Sequence, residues 1–108
     1  MKGDDILSTT KDEQDRLIEI ITEELPVLRA RLKISQDELS RRIGISRQTY
    51  SLIETKKQKM TWLTFMGLLA FFQNNPKTEV ELRRIGLISD VSFQSLIQRK
   101  NIREEKNG

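Results

Sequence analysis

The stretch QDELSRRIGISRQTYSLIET, residues 36–55, decides the fold of this chain. Ser35 precedes it and is followed three residues later by a glutamate, which is the signature of a helix start. Gly44 is the residue type that most easily takes the left-handed conformation at a helix end, and Ser46 is a favoured cap for the next helix. Only residues 44–46 separate the two predicted helices, so we expect a tight turn that sets them at a steep angle.

Apolar side chains in this stretch recur at the spacing of two inward-facing helix surfaces. Leu39 and Ile43 lie one helical step apart on the first helix. Tyr50 and Ile53 share a face of the second helix, and Ile45 fills the turn between the two. We expect these side chains in the core, and we expect Tyr50 there rather than on the surface as an aromatic for stacking on bases.

The segment before this stretch has its own helical pattern. Thr10 and Glu13 form a capping-box signature ahead of apolar residues at helical spacing, so a helix begins near residue 11. Pro26 lacks an amide hydrogen and crowds the preceding turn of a helix. We therefore predict that this helix kinks at Pro26, or ends there and restarts.

The segment after the stretch begins with a basic loop and continues into an unusually apolar helix over residues 62–73. A helix with apolar side chains on most of its circumference is buried on more than one side or forms an oligomerisation surface. We expect burial, with Trp62 in the core. Two short helices over residues 78–85 and 91–102 and a frayed end at 103–108 complete the prediction.

These patterns predict an all-α chain with one domain and short appendages. The apolar and charged fractions, 36% and 32%, are those of a folded globular protein. We expect an acidic N-terminal helical extension at residues 1–24, a central domain at residues 25–73 and a C-terminal helical appendage at residues 74–108. The third helix of the central domain is expected at about residues 46–55.

Positive charge is concentrated in the segment that contains the two central helices. The net charge is −5 over residues 1–28, +6 over residues 29–59 and +2 over residues 60–108. A polyanionic partner accounts for this distribution, whereas a solvated surface of mixed charge does not require it.

The chain contains neither cysteine nor histidine. It therefore lacks a thiolate metal site and an imidazole base, and we expect no metal, no cofactor and no enzyme activity. The carboxylates of the first helix are interpreted as a solvated face. Residues 1–15 contain no apolar run that could act as a secretion signal, and the apolar helix is too short to span a bilayer, so a cytoplasmic protein without membrane association is expected.

The run ISRQTYSLIE at residues 45–54 resembles, almost residue for residue, the recognition helix of the phage-repressor-like helix-turn-helix family, also called the xenobiotic-response-element or Cro/C1 type. The resemblance extends over about residues 25–72. It implies a lambda-repressor-like domain of about five to six short helices that places the helix beginning at Ser46 in the major groove of double-stranded DNA. It also implies a bacterial or phage transcriptional regulator, with repression as the expected action.

The outer face of this recognition helix carries the candidate base contacts Arg47, Gln48, Ser51 and Leu52. Arg47 can bridge the two acceptors of a guanine, and Gln48 can pair with an adenine. Leu52 offers apolar surface to a thymine methyl group, or is an ordinary exposed leucine.

The candidate contacts to DNA phosphates are Gln36, Ser46, Thr49, Lys56, Lys57 and Lys59. The resemblance implies this role for Gln36, which lies at the first turn of its helix near free backbone amides. Any one of the lysines could equally be a solvated charge, and only their clustering indicates a function.

The resemblance also implies a structural ion pair. In the family an arginine of the first helix pairs with the glutamate that ends the recognition helix, and Arg29 and Glu54 stand at the matching positions. The chain departs from the family pattern at Lys33 and Lys56, where glycines often turn the chain, and at Met60, where a proline often precedes the next helix. These departures concern loop geometry and not the motif.

Two functions therefore remain open. The first is a sequence-specific regulator that binds as a homodimer to two half-sites about one helical turn apart, because one small domain gives limited specificity. The second is a protein-interaction module or antitoxin-like partner in which the basic patch serves only solubility. The sequence does not identify an effector ligand or the operator.

Overall fold

The computed structural model describes residues 10–88, which form five α-helices. They are α1 (Lys11–Leu32), α2 (Gln36–Ile43), α3 (Arg47–Glu54), α4 (Trp62–Gln73) and α5 (Pro76–Arg84). This described part contains no strand and none of its helices is long and apolar enough to cross a membrane, and the all-α prediction is confirmed. The predicted helix over 91–102 and the frayed end lie outside the described residues.

The first helix begins at the predicted capping box and continues further than expected. Glu13 N donates to Thr10 Oγ1 at 3.2 Å, and Thr10 N donates to Glu13 Oε1 at 2.8 Å. The helix runs through Pro26 to Leu32, so the predicted break and restart is wrong. Pro26 is exposed, and the carbonyl that loses its helical partner therefore lies on a side that water can reach.

The core is formed by all five helices of the described part around one side of α1. α1 packs against α3, α4 and α5, while α2 packs against α3 and α4. The hydrophobic side chains with almost no exposed surface are Ile21, Leu25, Leu28, Leu39, Tyr50, Ile53, Phe65, Leu68, Phe72 and Leu82. Ile43 and Ile45, which were predicted in the core, are half-buried and pack against it.

The apolar helix α4 contacts α1, α2 and α5, so its burial on more than one side is confirmed. Trp62 is half-buried and stacks on Phe65, with ring centroids 4.6 Å apart. One stripe of the helix remains uncovered within the described residues, however. The Leu63 side chain is 82% exposed, and Ala70 on the same stripe is exposed as well.

Two lysines stand in left-handed backbone conformations at the ends of helices. Lys33 follows α1 with φ 55°, and Lys56 follows α3 with φ 66°. These are the positions at which the family pattern often has glycine. A side chain with a Cβ atom is strained there, because the left-handed region costs about 1–2 kcal/mol for such a residue. Both turns therefore have the left-handed conformation that the family pattern often gives to glycine, although the residue type differs.

We expect Lys33→Gly to stabilise the protein by about 0.5–1 kcal/mol. The substitution relieves the strained conformation, and the greater freedom of glycine in the unfolded chain offsets part of the gain. Urea denaturation measures the effect. The matched control is Gly44→Ala at the end of α2, where φ is 82°, which is expected to lower the free energy of unfolding by about 1 kcal/mol. A destabilised Lys33→Gly variant would contradict the strain at this turn.

A buried carboxylate holds α5 against α1. Glu81 is 2% exposed and accepts hydrogen bonds from Arg84, with Nε at 3.1 Å. Arg31 of α1 places its Nη2 atom 3.0 Å from the other oxygen of the same carboxylate. The Arg84 guanidinium holds the pKa of Glu81 below its usual value against the opposing effect of burial. The charged form of Glu81 is therefore the one that stabilises the fold.

The pH dependence of stability follows from this lowered pKa. A group whose pKa is lower in the folded state stabilises the protein above its unfolded pKa, and this contribution is lost as the pH falls through the folded value. We expect Glu81→Gln to lower the free energy of unfolding at pH 7 by about 1–2 kcal/mol, and the difference from the wild type to shrink below pH 4. Chemical denaturation across this range measures it, and a constant difference would contradict the assignment.

Candidate nucleic-acid interface

The turn between α2 and α3 is built from backbone hydrogen bonds and a serine cap. Gly44 N and Ile45 N both donate to Ser40 O, at 2.9 and 3.0 Å, which closes the end of α2. Ser46 then caps α3, with Thr49 N donating to Ser46 Oγ at 3.0 Å. Ser40 is 1% exposed, so a small side chain lies in the interior beside this turn. The short connection fixes the position of α3 relative to α2.

The first turn of α3 presents polar side chains to solvent. Arg47 and Gln48 are exposed, and neither makes a side-chain hydrogen bond or ion pair with another described residue. Ser51 and Leu52 are half-buried on the following turn, while Tyr50 and Ile53 are buried behind them. The four candidate base contacts therefore lie on the side of α3 opposite its buried residues, and the two longest are free to bind.

The hydroxyl groups at the start of α3 are already connected to one another. Ser46 Oγ donates to Thr49 Oγ1 at 2.9 Å while it accepts from the Thr49 amide. The Ser46 hydroxyl proton is therefore used in the hydrogen bond to Thr49 Oγ1, whereas these two bonds leave the Thr49 hydroxyl proton unused. Of these two candidate phosphate contacts, Thr49 is the better placed donor.

Behind the interface lies a polar cluster that joins α1, α2 and α3. Arg29 donates to the Glu54 carboxylate through Nε at 3.3 Å and Nη2 at 3.2 Å, and its Nη1 atom donates to Ile34 O at 3.0 Å. Gln36 Nε2 donates to Glu54 Oε1 at 2.6 Å. We call Arg29, Gln36 and Glu54 the interhelix cluster. The Glu54 side chain is only 6% exposed, so its charge is neutralised by neighbours rather than by water.

The contact between Gln36 and Glu54 was missed by sequence reasoning, which assigned Gln36 only to phosphate. The two residues are 18 positions apart and no local pattern connects them. The structure gives the Gln36 amide a partner on α3 and at the same time leaves the residue at the first turn of α2, beside free backbone amides. One side chain can thus be oriented by Glu54 and present its remaining N–H outward.

The Tyr50 side chain is fully buried, and its hydroxyl lies beside Arg29 and Glu54 of this cluster. Burial raises the pKa of Tyr50 well above its usual value, and the charge of Glu54 raises it further. Tyr50 is therefore a neutral core residue at neutral pH, as the sequence predicted, and it is not available to stack on bases.

The lysines of the loop after α3 differ in whether they form ion pairs with α1. Lys56 Nζ donates to Glu23 Oε2 at 2.5 Å, and Lys59 Nζ donates to Asp15 Oδ1. Lys57 is exposed and makes no ion pair with a described residue. We call Lys56, Lys57 and Lys59 the loop lysines. Sequence reasoning treated the carboxylates of α1 as a solvated face and missed both pairs.

The capped helix pair, its three-residue turn and the exposed polar face of α3 define a helix-turn-helix domain. Residues 28–61, from the last part of α1 to the residue that caps α4, match the family model described as Helix-turn-helix. The match supports the similarity of this part of the chain to helix-turn-helix domains of the Cro/C1 type, a family of DNA-binding regulators. No curated protein and no solved structure matches the chain significantly.

Proposed function

We propose that the chain binds double-stranded DNA in a sequence-specific manner and acts as a transcriptional repressor, with α3 in the major groove. One observation carries the proposal. Arg47 and Gln48 project from the first turn of α3 without partners, while Tyr50 and Ile53 anchor the helix in the core from the opposite side. Long side chains held in this way can reach base edges without first breaking an intramolecular contact.

The exposed side chains suit particular bases. A guanidinium group can donate two parallel hydrogen bonds to guanine N7 and O6, and a carboxamide can pair with adenine N6 and N7. We assign these roles to Arg47 and Gln48. Ser51 can donate to or accept from a neighbouring base, and the half-buried Leu52 can contact a thymine methyl group.

Phosphate contacts would fix the register of the domain on the duplex. Gln36 lies at the start of α2, and Ser46 and Thr49 lie at the start of α3. The free backbone amides at these helix starts can also donate to a DNA phosphate. Lys57 is the loop lysine that is free to join them. Because phosphate contacts release counterions, we expect the affinity to fall steeply with salt.

A homodimer is the proposed binding form, with two copies of α3 about one helical turn apart on the duplex. The exposed stripe of α4 supports this, since Leu63 is 82% exposed on a helix that is otherwise apolar. Val80 of α5 is 60% exposed, so α5 is a second candidate for the dimer interface. Sedimentation analysis tests the proposal, and a monomer at micromolar concentration with and without DNA would contradict it.

The second candidate function is a protein-interaction module or antitoxin-like partner. It is favoured by the same exposed apolar side chains, Leu63 and Val80, which suit a protein surface as well as a second copy of the chain. In that case the free polar face of α3 would have no nucleic-acid ligand. The two candidates differ in whether any duplex binds saturably.

Selection of bound duplexes from a random pool tests the proposed function. We expect recovery of one sequence motif, repeated with two-fold symmetry at a spacing of about one helical turn. Gel shifts of the selected duplex across a salt series then measure affinity and the number of phosphate contacts. Failure to enrich any motif, together with no saturable binding at low salt, would favour the protein-interaction function instead.

A further inference from the structure

The acidic first half of α1 lies against the loop lysines, and its contacts go beyond what a helix-turn-helix domain requires. We propose that Asp15 and Glu23 act as intramolecular competitors for the DNA phosphates, holding Lys59 and Lys56 in the free protein and so lowering its affinity for DNA. This inference rests on the proposed function, because it assumes that the loop lysines face a duplex in the bound state.

The geometry places one carboxylate on each of two lysines. Glu23 Oε2 lies 2.5 Å from Lys56 Nζ, and Asp15 Oδ1 accepts a hydrogen bond from Lys59 Nζ. The two pairs lie along a groove of about 600 Å³ between α1 and the loop, which Glu19 also lines. The Lys59 ammonium lowers the pKa of Asp15, so the carboxylate is charged at neutral pH.

The backbone at Lys56 gives a second argument. Its φ of 66° is one that favours glycine, yet the residue carries a long cationic side chain that reaches Glu23. Backbone hydrogen bonds hold the loop in place independently of that side chain, with Lys56 N donating to Ile53 O at 3.0 Å and Lys57 N to Leu52 O at 2.9 Å. The ion pair is therefore an addition to a loop that is already closed.

Both ion pairs are open to solvent, which allows exchange. The side chains of Lys56 and Glu23 are 56% and 64% exposed, and those of Lys59 and Asp15 are 53% and 38% exposed. Exposed pairs of this kind are weak and screened by salt. A phosphate oxygen can therefore replace either carboxylate, but the released carboxylate then lies close to the polyanion and repels it.

The charge of the surrounding helix strengthens this effect. Residues 11–24 contain six acidic and two basic side chains, so this part of α1 is itself a polyanionic surface. A lysine that leaves a carboxylate for a phosphate exchanges one anionic partner for another. The net release of counterions is then small, and the salt dependence of DNA binding is shallower than the number of lysines suggests.

A structural role for the same pairs predicts the opposite sign. If Asp15 and Glu23 served to position the loop for DNA, their neutralisation would loosen it and weaken binding. If they compete with phosphate, their neutralisation frees two lysines and tightens binding. The direction of the change in affinity therefore separates the two roles.

The test compares Asp15→Asn/Glu23→Gln with Asp12→Asn/Glu19→Gln, measured on the selected duplex by fluorescence anisotropy across a salt series. The control removes two carboxylate charges from the same N-terminal part of α1, at exposed residues without an ion pair to the loop. At low salt we expect the first variant to bind at least about fivefold more tightly than the wild type. The affinity of the control is expected to change by less than about twofold. We also expect the salt slope of the first variant to steepen by about 2, one for each lysine released.

Substitution of the lysines adds an internal check. In the wild type, Lys57→Gln is expected to weaken binding more than Lys56→Gln or Lys59→Gln. In the Asp15→Asn/Glu23→Gln background, the three lysine substitutions are expected to weaken binding to a similar extent, because all three ammonium groups are then free.

Four results would overturn the inference. Equal tightening by the control variant would mean that only long-range charge matters, and weaker binding by Asp15→Asn/Glu23→Gln would assign the pairs to loop positioning. If the wild type binds the duplex and the first variant binds it equally well, the competition is absent although the proposed function stands. If no variant and no wild type binds any duplex, both the inference and the proposed function fail.

Discussion

Glu54→Ala is expected to lower the free energy of unfolding by about 3–5 kcal/mol, because it leaves buried donors without an acceptor. The Glu54 carboxylate accepts from Arg29 and Gln36, and its side chain is 6% exposed. Removal of this acceptor leaves N–H groups of the Arg29 guanidinium and the Gln36 carboxamide without a hydrogen-bond partner between the three helices. Urea denaturation, with the slope checked for two-state behaviour, measures the loss.

The matched control is an ion pair on the surface. Asp37→Ala breaks the pair with Arg41, in which Arg41 Nη1 lies 2.6 Å from Asp37 Oδ2. Both side chains are at least half exposed. Exposed pairs of this spacing contribute about 0.3–0.5 kcal/mol, so the control should remain close to the wild type. If the two variants lost similar stability, the interhelix cluster would not have the structural role assigned to it.

Arg47→Ala and Gln48→Ala are each expected to abolish the preference for one base in the recognised site. A bidentate contact between a side chain and a base contributes about 1–3 kcal/mol of discrimination, which corresponds to roughly a 5- to 150-fold difference in affinity. Neither side chain has a partner among the described residues, so its removal should leave stability unchanged. Binding to a set of single-base variants of the selected duplex measures the preference.

The control for this prediction is Lys57→Ala. Lys57 is exposed, lies outside α3 and is assigned to a phosphate, so its removal is expected to weaken binding to every duplex alike and to reduce the salt slope by about 1. If Arg47→Ala and Gln48→Ala also weakened all duplexes alike, with no change in base preference, the assignment of α3 to the major groove would be wrong.

The features that the sequence predicted correctly are those with local signals. The serine caps of α2 and α3 and the left-handed Gly44 each act within one helical turn, so a short window of residues is enough to identify them. The burial of Tyr50 and Ile53 follows from helical periodicity in the same window. The departures at Lys33 and Lys56 left the geometry of two turns open, and both residues adopt the left-handed conformation usually provided by glycine.

The features that the sequence did not predict depend on distant residues. α1 continues through Pro26 because Leu25 and Leu28 on its inner side are fully buried against other helices, and this packing outweighs the local cost of the proline. Leu63 is exposed although its helix is apolar nearly all round, because the neighbours of α4 within the described residues leave one side open. No periodicity in the chain distinguishes Leu63 from Phe65.

Side-chain pairing across the fold was the least predictable part of the candidate site. Glu23 and Lys56 are 33 positions apart, and Asp15 and Lys59 are 44 apart. Each of these residues alone has the pattern of a solvated charge, and only the packing of α1 beside the loop brings them together. The same is true of Gln36, whose contact with Glu54 requires α2 and α3 to be placed first.

Methylation interference on the selected duplex tests directly whether Arg47 of α3 binds guanine in the major groove. Dimethyl sulfate methylates guanine N7 in the major groove, which is the acceptor assigned to Arg47. We expect that methylation of one guanine in each half-site prevents binding of the wild type. We also expect that this interference disappears with Arg47→Ala while any other position is unaffected. Binding that tolerates N7 methylation at every guanine, or interference that persists unchanged in Arg47→Ala, would contradict it.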